Sequence, residues 1–117
     1  MDPSVEIFRN LMAVVAERKA QLPEGSYTTA LFRGGLERIG AKLREESAEA
    51  IEAAGEPGDA GRDHLVREAA DVIYHLFVLL GHREVPLVAV EQELARRFGI
   101  SGLAEKASRA VRNPPTS

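Results

Sequence analysis

The chain has no cysteine, which removes disulfides, thiolate metal sites and thiol nucleophiles from consideration. It has no surplus of positive charge either. The formal net charge is -3, so a nucleic-acid-coating surface is not expected and any anionic ligand must be held by a few local cations. The longest apolar run, "VIYHLFVLLG", is interrupted by His75 and is too short to span a bilayer. The opening "MDPSVEIF" lacks the charged-then-apolar layout of a signal peptide. A cytoplasmic protein with no membrane and no nucleic-acid partner is the expectation. No stretch alternates in the β-branched pattern of strands, and no segment repeats.

What is present is ordinary globular material with a strong helical period. At 117 residues, 44% hydrophobic and 28% charged, the chain suits one domain over residues 1–117 with a modest core. Asp2 and Pro3 read as a helix start, and Val5, Phe8, Leu11, Met12 and Val15 recur at helical spacing until Gln21-Leu22-Pro23. Ser26 is placed to cap a short helix over "YTTALFR", stopped by Gly34-Gly35. A third helix is predicted from Leu36 to Ala54. "GEPGDAG" reads as the clearest loop. A fourth helix follows from about His64 to Leu80 and a fifth from Pro86 to Phe98. The proline-containing end, about 110–117, is expected to fray. The fold class is therefore all-α, a bundle of about four to five helices.

The third and fourth helices raise a chemical question. Leu36, Ile39, Leu43, Ala50 and Ala54 share one side of the third, and Lys42, Glu45, Glu46 and Glu49 form the adjoining stripe, with Glu46 nearest the apolar boundary. On the fourth, Leu65, Ala69, Val72, Ile73, Leu76 and Leu80 make a wide apolar face flanked by Glu68, Asp71 and His75. If the two helices pack antiparallel, their carboxylates meet. Like charges brought together without a counter-charge shift their pKa values or destabilise the fold, and a divalent cation removes the conflict. An all-oxygen donor set favours Mg²⁺, with Mn²⁺ as a substitute, over zinc. The plain alternative is a solvated acidic face in which Lys42 and Arg44 serve as i,i+4 partners, or a seam that binds a basic partner protein without catalysis. A di-iron bundle would call for Glu-x-x-His pairs, and none of His64, His75 or His82 has a glutamate three residues earlier. His75 reads as a hydrogen-bonded structural residue. Tyr74, pointing away from the core face, reads as a subunit contact.

"EESAE" followed by "EAAD" resembles the E-E-x-x-E … E-x-x-D signature of the MazG-type all-α nucleotide pyrophosphohydrolases, which use Mg²⁺ to split the α-β bond of nucleoside triphosphates. The segments "SYTTALFRGGLERIGAKLREESAE", "LVREAADVIYHLFVLL" and "LVAVEQELARRFGISGLAEKASR" are similar, in order and from Ser26 to Arg109, to the phosphoribosyl-ATP pyrophosphohydrolase family. The resemblance implies hydrolysis of phosphoribosyl-ATP to phosphoribosyl-AMP and pyrophosphate, the second step of histidine biosynthesis. It implies Glu46, Glu49, Glu68 and Asp71 as metal ligands, and Glu45 or Glu49 as the group that activates water. It also implies Lys42, Arg38, Arg33, Ser26, Tyr27, Thr28, Lys106 and Arg109 as substrate-binding residues. Arg38 stands where the family more often has lysine, and guanidinium and ammonium differ in geometry. A homodimer or larger homo-oligomer is implied as well. A housekeeping pyrophosphatase acting on dUTP or damaged nucleotides is the neighbouring alternative, against which the "SYT" and "EKASR" segments argue.

Overall fold

The computed structural model describes residues 3–99. All regular structure among them is helical: a 3-10 turn over Pro3–Glu6, then α1 (Ile7–Gln21), α2 (Tyr27–Ala54), α3 (Gly58–His82) and α4 (Leu87–Phe98). The described residues up to Val85 form one compact unit, and those from Pro86 onward belong to a second. Asp2 and the end from 100 to 117, with Lys106 and Arg109, lie outside the described residues. No single helix among the described residues is long and apolar enough to cross a membrane.

In the first unit, α1 stops where its sequence requires. Leu22 takes a left-handed conformation (φ 47°) and its N–H bonds Arg18 O at 2.8 Å, while Pro23 disfavours a right-handed helical residue before it. Met12 and Val15 are buried, and Phe8 meets Phe77 of α3 edge-on with ring centroids 5.9 Å apart. The cap expected of Ser26 is present: its Oγ accepts from Thr29 N at 3.3 Å, satisfying an otherwise orphaned donor. The short helix and the third predicted helix are the two limbs of α2, separated by Gly35, whose φ of 71° and ψ of -168° interrupt the helical backbone.

The start of α3 differs from the sequence expectation. The helix begins at Gly58, within the supposed loop "GEPGDAG", and the connection from α2 shrinks to Gly55, Glu56 and Pro57. Two features make this possible. Asp59 places a carboxylate in the first turn, where the helix dipole favours it. Gly61 lies so close to the preceding chain that a Cβ there would sit 2.3 Å from Glu56 O. This glycine serves close packing, and the loop reading took it for a breaker. Gly81 behaves likewise. It is buried inside α3, and a Cβ would meet Val15 Cγ1 at 2.8 Å and Phe32 Cζ at 3.2 Å, so all three helices of the unit converge on it. α3 continues to His82, and Glu84 (φ 57°) closes it with an N–H bond to Gly81 O.

The core itself is Val15, Leu31, Ile39, Ala53 and Val78, fully enclosed, with Met12, Phe32 and Phe77. It lies about one position round from the expected faces. On α3 the buried side chains are those of His75, Phe77 and Val78, whereas Leu65, Ala69, Val72, Ile73 and Leu80 are half-buried and Leu76 is exposed. On α2, Ile39 and Ala53 are buried, while Leu36 and Ala54 of the expected face are exposed. Tyr74 corrects a second expectation: it is half-buried, with its hydroxyl hydrogen-bonded to that of Thr28.

The second unit shows α4 starting after Pro86, as its fixed φ suits. Glu93 accepts from Arg96 and Arg97 one turn on, at 2.5 and 2.8 Å, and these guanidiniums hold its carboxyl down at about 2. Val88, Leu94 and Phe98 are exposed.

The break in α2 generates a paired prediction. At Gly35 a Cβ would find open space, so Gly35→Ala tests the backbone alone and should destabilise the fold by about 1–3 kcal/mol, because that φ/ψ region is essentially reserved for glycine. Gly40→Ala, inside the helical limb with only Arg44 at 3.9 Å from the added carbon, should instead stabilise by about 0.5–1 kcal/mol. Urea titrations of both variants decide the matter, and equal effects would remove the break from the account.

Candidate metal centre

α2 and α3 run back along one another from their short connection, which sets Glu46 of α2 opposite Glu68 and Asp71 of α3. One carboxylate oxygen from each of the three lies within 4.8 Å of the others. Glu46 is buried at 8% exposure, although it carries charge, because it sits on the boundary that turns toward Ile39 and Ala53. The Glu68 side chain is only 13% exposed, and Asp71 opens to solvent. The donors are hard oxygens from two rigid elements, with one side of the group accessible.

The electrostatics of this seam are unresolved by the protein itself. Burial first, and then the neighbouring carboxylates of Glu46 and Glu49, hold the Glu68 carboxyl above its ordinary value. Glu68 Oε2 is enclosed and has no hydrogen-bond partner among the described residues. Such an oxygen is costly, and a cation is the ligand that its charge and its neighbours call for. Lys42 supplies partial relief from the side, with Nζ 3.2 Å from Glu45 Oε2 and 3.5 Å from Glu46 Oε1. Its pKa is raised, chiefly by the bond to Glu45.

His64 is a neighbour that the sequence reading did not assign to the site. Its Nε2 lies 3.4 Å from Glu68 Oε1 and its Nδ1 2.9 Å from Glu56 Oε1. The bond to Glu56 is the main reason its pKa is raised. The i,i+4 spacing from His64 to Glu68 was the available signal, hidden because His64 was placed at the helix start and not on its second turn.

A polar and aromatic group adjoins the carboxylates. His75 is 4% exposed, and its Nδ1–H donates to Asp71 O at 2.7 Å. That leaves Nε2 as the acceptor for the Tyr27 hydroxyl, 3.2 Å away. The Tyr27 ring meets His75 edge-on at 6.0 Å and lies nearly parallel to Tyr74 at 6.2 Å. Burial raises the Tyr74 phenol.

Of the residues named from the sequence, Glu46, Glu68 and Asp71 are thus brought together. Glu49 is half-buried on the next turn, close enough to act on Glu68. Glu45 is exposed and turned to Lys42. Arg33 and Arg38 are exposed, with the Arg38 methylenes lying over Gly34. Ser26 and Thr28 use their side-chain oxygens internally, Ser26 for the cap and Thr28 for Tyr74. Tyr27 stays half-exposed.

Known proteins similar to this chain are numerous. The phosphoribosyl-ATP pyrophosphohydrolase family model matches residues 8–98. A phosphoribosyl-ATP pyrophosphatase from Rhodopirellula baltica is 56% identical over 102 residues, covering 87% of this chain and 85% of that protein. One from Geobacter sulfurreducens is 45% identical over 93% of this chain and 98% of its own. One from Novosphingobium aromaticivorans is 50% identical over 90% and 95% respectively. With three carboxylates gathered on two helices and matches that run nearly end to end, the chain belongs to the phosphoribosyl-ATP pyrophosphohydrolase family.

Proposed function

We propose that this chain hydrolyses the α-β phosphoanhydride of phosphoribosyl-ATP, releasing phosphoribosyl-AMP and pyrophosphate in the second step of histidine biosynthesis. In this reading Mg²⁺ is held by Glu46, Glu68 and Asp71, with Glu49 beside them. The observation that carries it is the enclosed Glu68 Oε2, partnerless within a group of three carboxylate oxygens 4.8 Å or less apart. The donor set fits the ion: Mg²⁺ takes a few carboxylates and completes its shell with water and phosphate oxygens. Mn²⁺ shares this preference and is the expected substitute. When bound, such an ion neutralises phosphate charge and favours attack by water.

The protein groups then divide the remaining work. Lys42, already beside Glu46, is placed to meet a phosphate oxygen and offset the charge of the leaving pyrophosphate. Glu49 stands next to Glu68 and is the better placed of the two water-activating candidates, since a carboxylate within reach of the attacking water can accept its proton. Glu45 is bonded to Lys42, and its role is to hold that ammonium in line. Arg33, Arg38, Lys106 and Arg109 remain the candidates for the ribosyl-linked phosphate. Leu36, Ile51, Val66 and Leu76 are exposed on α2 and α3, and this apolar surface supports a homodimer or larger homo-oligomer. Cytoplasmic residence accords with a pathway acting on soluble nucleotides.

The first test is pyrophosphate release from phosphoribosyl-ATP, with dUTP and ATP in parallel and with EDTA as the metal-free arm. Turnover of phosphoribosyl-ATP alone, abolished by EDTA and reduced about 100-fold or more in Glu49→Gln, is the expected result. Turnover of dUTP with phosphoribosyl-ATP untouched would replace the assignment with the housekeeping pyrophosphatase. No turnover of any of the three by folded protein would favour a binding module.

A second test needs no substrate. Because the folded protein raises the Glu68 pKa, the metal-free chain should lose stability as pH rises above the ordinary glutamate value, since ionising Glu68 then costs more in the folded than in the unfolded state. Glu68→Gln should therefore melt higher than the parent at pH 7.5 without metal, with the difference fading near pH 4. Millimolar Mg²⁺ should raise the melting temperature of the parent and not of the variant. An equal Mg²⁺ shift in both would sink the metal assignment.

A further inference from the structure

Tyr27 combines two properties that seldom coincide. The residue is 47% exposed, yet its hydroxyl is anchored on a histidine that is almost wholly buried. The anchor is selective. Because His75 Nδ1–H is committed to Asp71 O, Nε2 has an unprotonated lone pair, and the Tyr27 hydroxyl is the donor that satisfies it. The ring is further fixed by the offset stack on Tyr74 and the edge contact with His75. Tyr74 is itself held by Thr28. An exposed aromatic ring in one imposed orientation has already lost the freedom that binding would otherwise cost it.

Its location is equally specific. In an unbroken helix Tyr27 would stand ~22 Å from Lys42 along the axis, at about 1.5 Å per residue. The break at Gly35 interrupts that line, and the Tyr27 hydroxyl reaches His75 of α3. Lys42 in turn touches Glu46, and His75 lies one helical turn beyond Asp71. The ring therefore stands, through His75, one helical turn from the carboxylate seam. A flat π surface at that distance from a carboxylate group suits a nucleobase whose phosphates occupy the carboxylate end.

We propose that Tyr27 is the stacking shelf for the purine base of the substrate, and that His75 is the positioning residue that holds this shelf through the Tyr27 hydroxyl. The inference rests on the nucleotide reading of the site, and it adds the part of the molecule that distinguishes a base-bearing ligand from bare phosphate. His75 does not touch substrate and acts through Tyr27.

The experiment compares binding of AMP, which has a base, with binding of Mg²⁺-pyrophosphate, which has none, by calorimetry on the full chain. Tyr27→Leu should weaken AMP about tenfold, the range of one base–aromatic stack, and leave pyrophosphate affinity within twofold. Tyr27→Phe and His75→Leu should each weaken AMP by a smaller factor, and His75→Leu should add nothing once Tyr27 is leucine. With no tryptophan and two tyrosines in the chain, the emission of the Tyr74→Phe variant reports Tyr27 directly, and AMP should quench it. His75→Gln, which can still accept the phenol hydrogen, should recover part of the AMP affinity lost in His75→Leu. In turnover, Tyr27→Leu should raise KM for phosphoribosyl-ATP more than it changes kcat. Unchanged AMP affinity in Tyr27→Leu, or equal losses for AMP and pyrophosphate, would overturn the shelf. An additional AMP loss from His75→Leu in the Tyr27→Leu background would overturn the positioning role. Failure of the parent protein to hydrolyse phosphoribosyl-ATP is a separate result: it would strike the reaction, while the comparison of AMP with pyrophosphate still decides the shelf.

Discussion

The contact between α2 and α3 obliges carboxylates to share a seam. Ile39 and Ala53 on one helix and Phe77 and Val78 on the other are driven together by apolar burial. Their helices carry Glu46 and Glu68 with them, because each acid lies at the margin of the face being buried. The apolar contact is cooperative and spread over many atoms, whereas the carboxylate repulsion is local. The fold therefore accepts the repulsion and transfers it to one place, where it appears as a raised Glu68 pKa and a partnerless Oε2. Lys42 relieves Glu46 from one side and His64 meets Glu68 from another. Neither reaches the enclosed oxygen, and that residual demand is the one the proposed cation would meet.

Close packing around glycine sets the spacing of this arrangement. At Gly81 a single added carbon would collide with Val15 and Phe32, and at Gly61 with the Glu56 backbone. Both glycines were open to misreading, since glycine in a sequence signals a turn more readily than a helix contact. This explains why the start of α3 was placed six residues late, at His64 instead of Gly58. The helical character of the chain, the Ser26 cap, the stop at Leu22-Pro23 and the break at Gly34-Gly35 were legible, because each is encoded within a few residues. The direction of the buried faces was legible only to about one position. Periodicity identifies an apolar stripe, but which edge of it turns inward depends on the partner helix, and Leu76 lost that competition to Phe77 and Val78.

The carboxylate group was legible in outline for the same local reason. Glu46 and Glu49 are neighbours on one face, as are Glu68 and Asp71, and a short connection brings the two faces together. The pairing of Tyr27 with His75 was not legible, since the two are 48 positions apart and neither has a local pattern that announces the other. Tyr74 shows the cost of reasoning from one helix alone. Viewed on α3 it points away from the core, yet the first limb of α2 comes to lie against it and supplies Thr28 as its hydrogen-bond partner.

On the proposed reading, that first limb lets recognition and chemistry share a small chain. A straight α2 would carry Tyr27 well away from Lys42 and the acids, leaving only charge at the seam. With the break at Gly35, the N-terminal limb lies against α3, where Tyr27 and Thr28 bond His75 and Tyr74, so one element contributes an aromatic ring against α3 and the buried acid Glu46. The cap at Ser26 matters in this light. It fixes the helix start next to Tyr27, and with the hydroxyls of Tyr27 and Thr28 both committed to α3, the limb has little freedom to rotate. On the proposed reading, selectivity for a base would depend on backbone geometry at one glycine and on the two hydrogen bonds that tie this limb to α3. On that proposal the carboxylates would serve any phosphoanhydride that reaches them, while the limb before Gly35 would decide what else the ligand must carry.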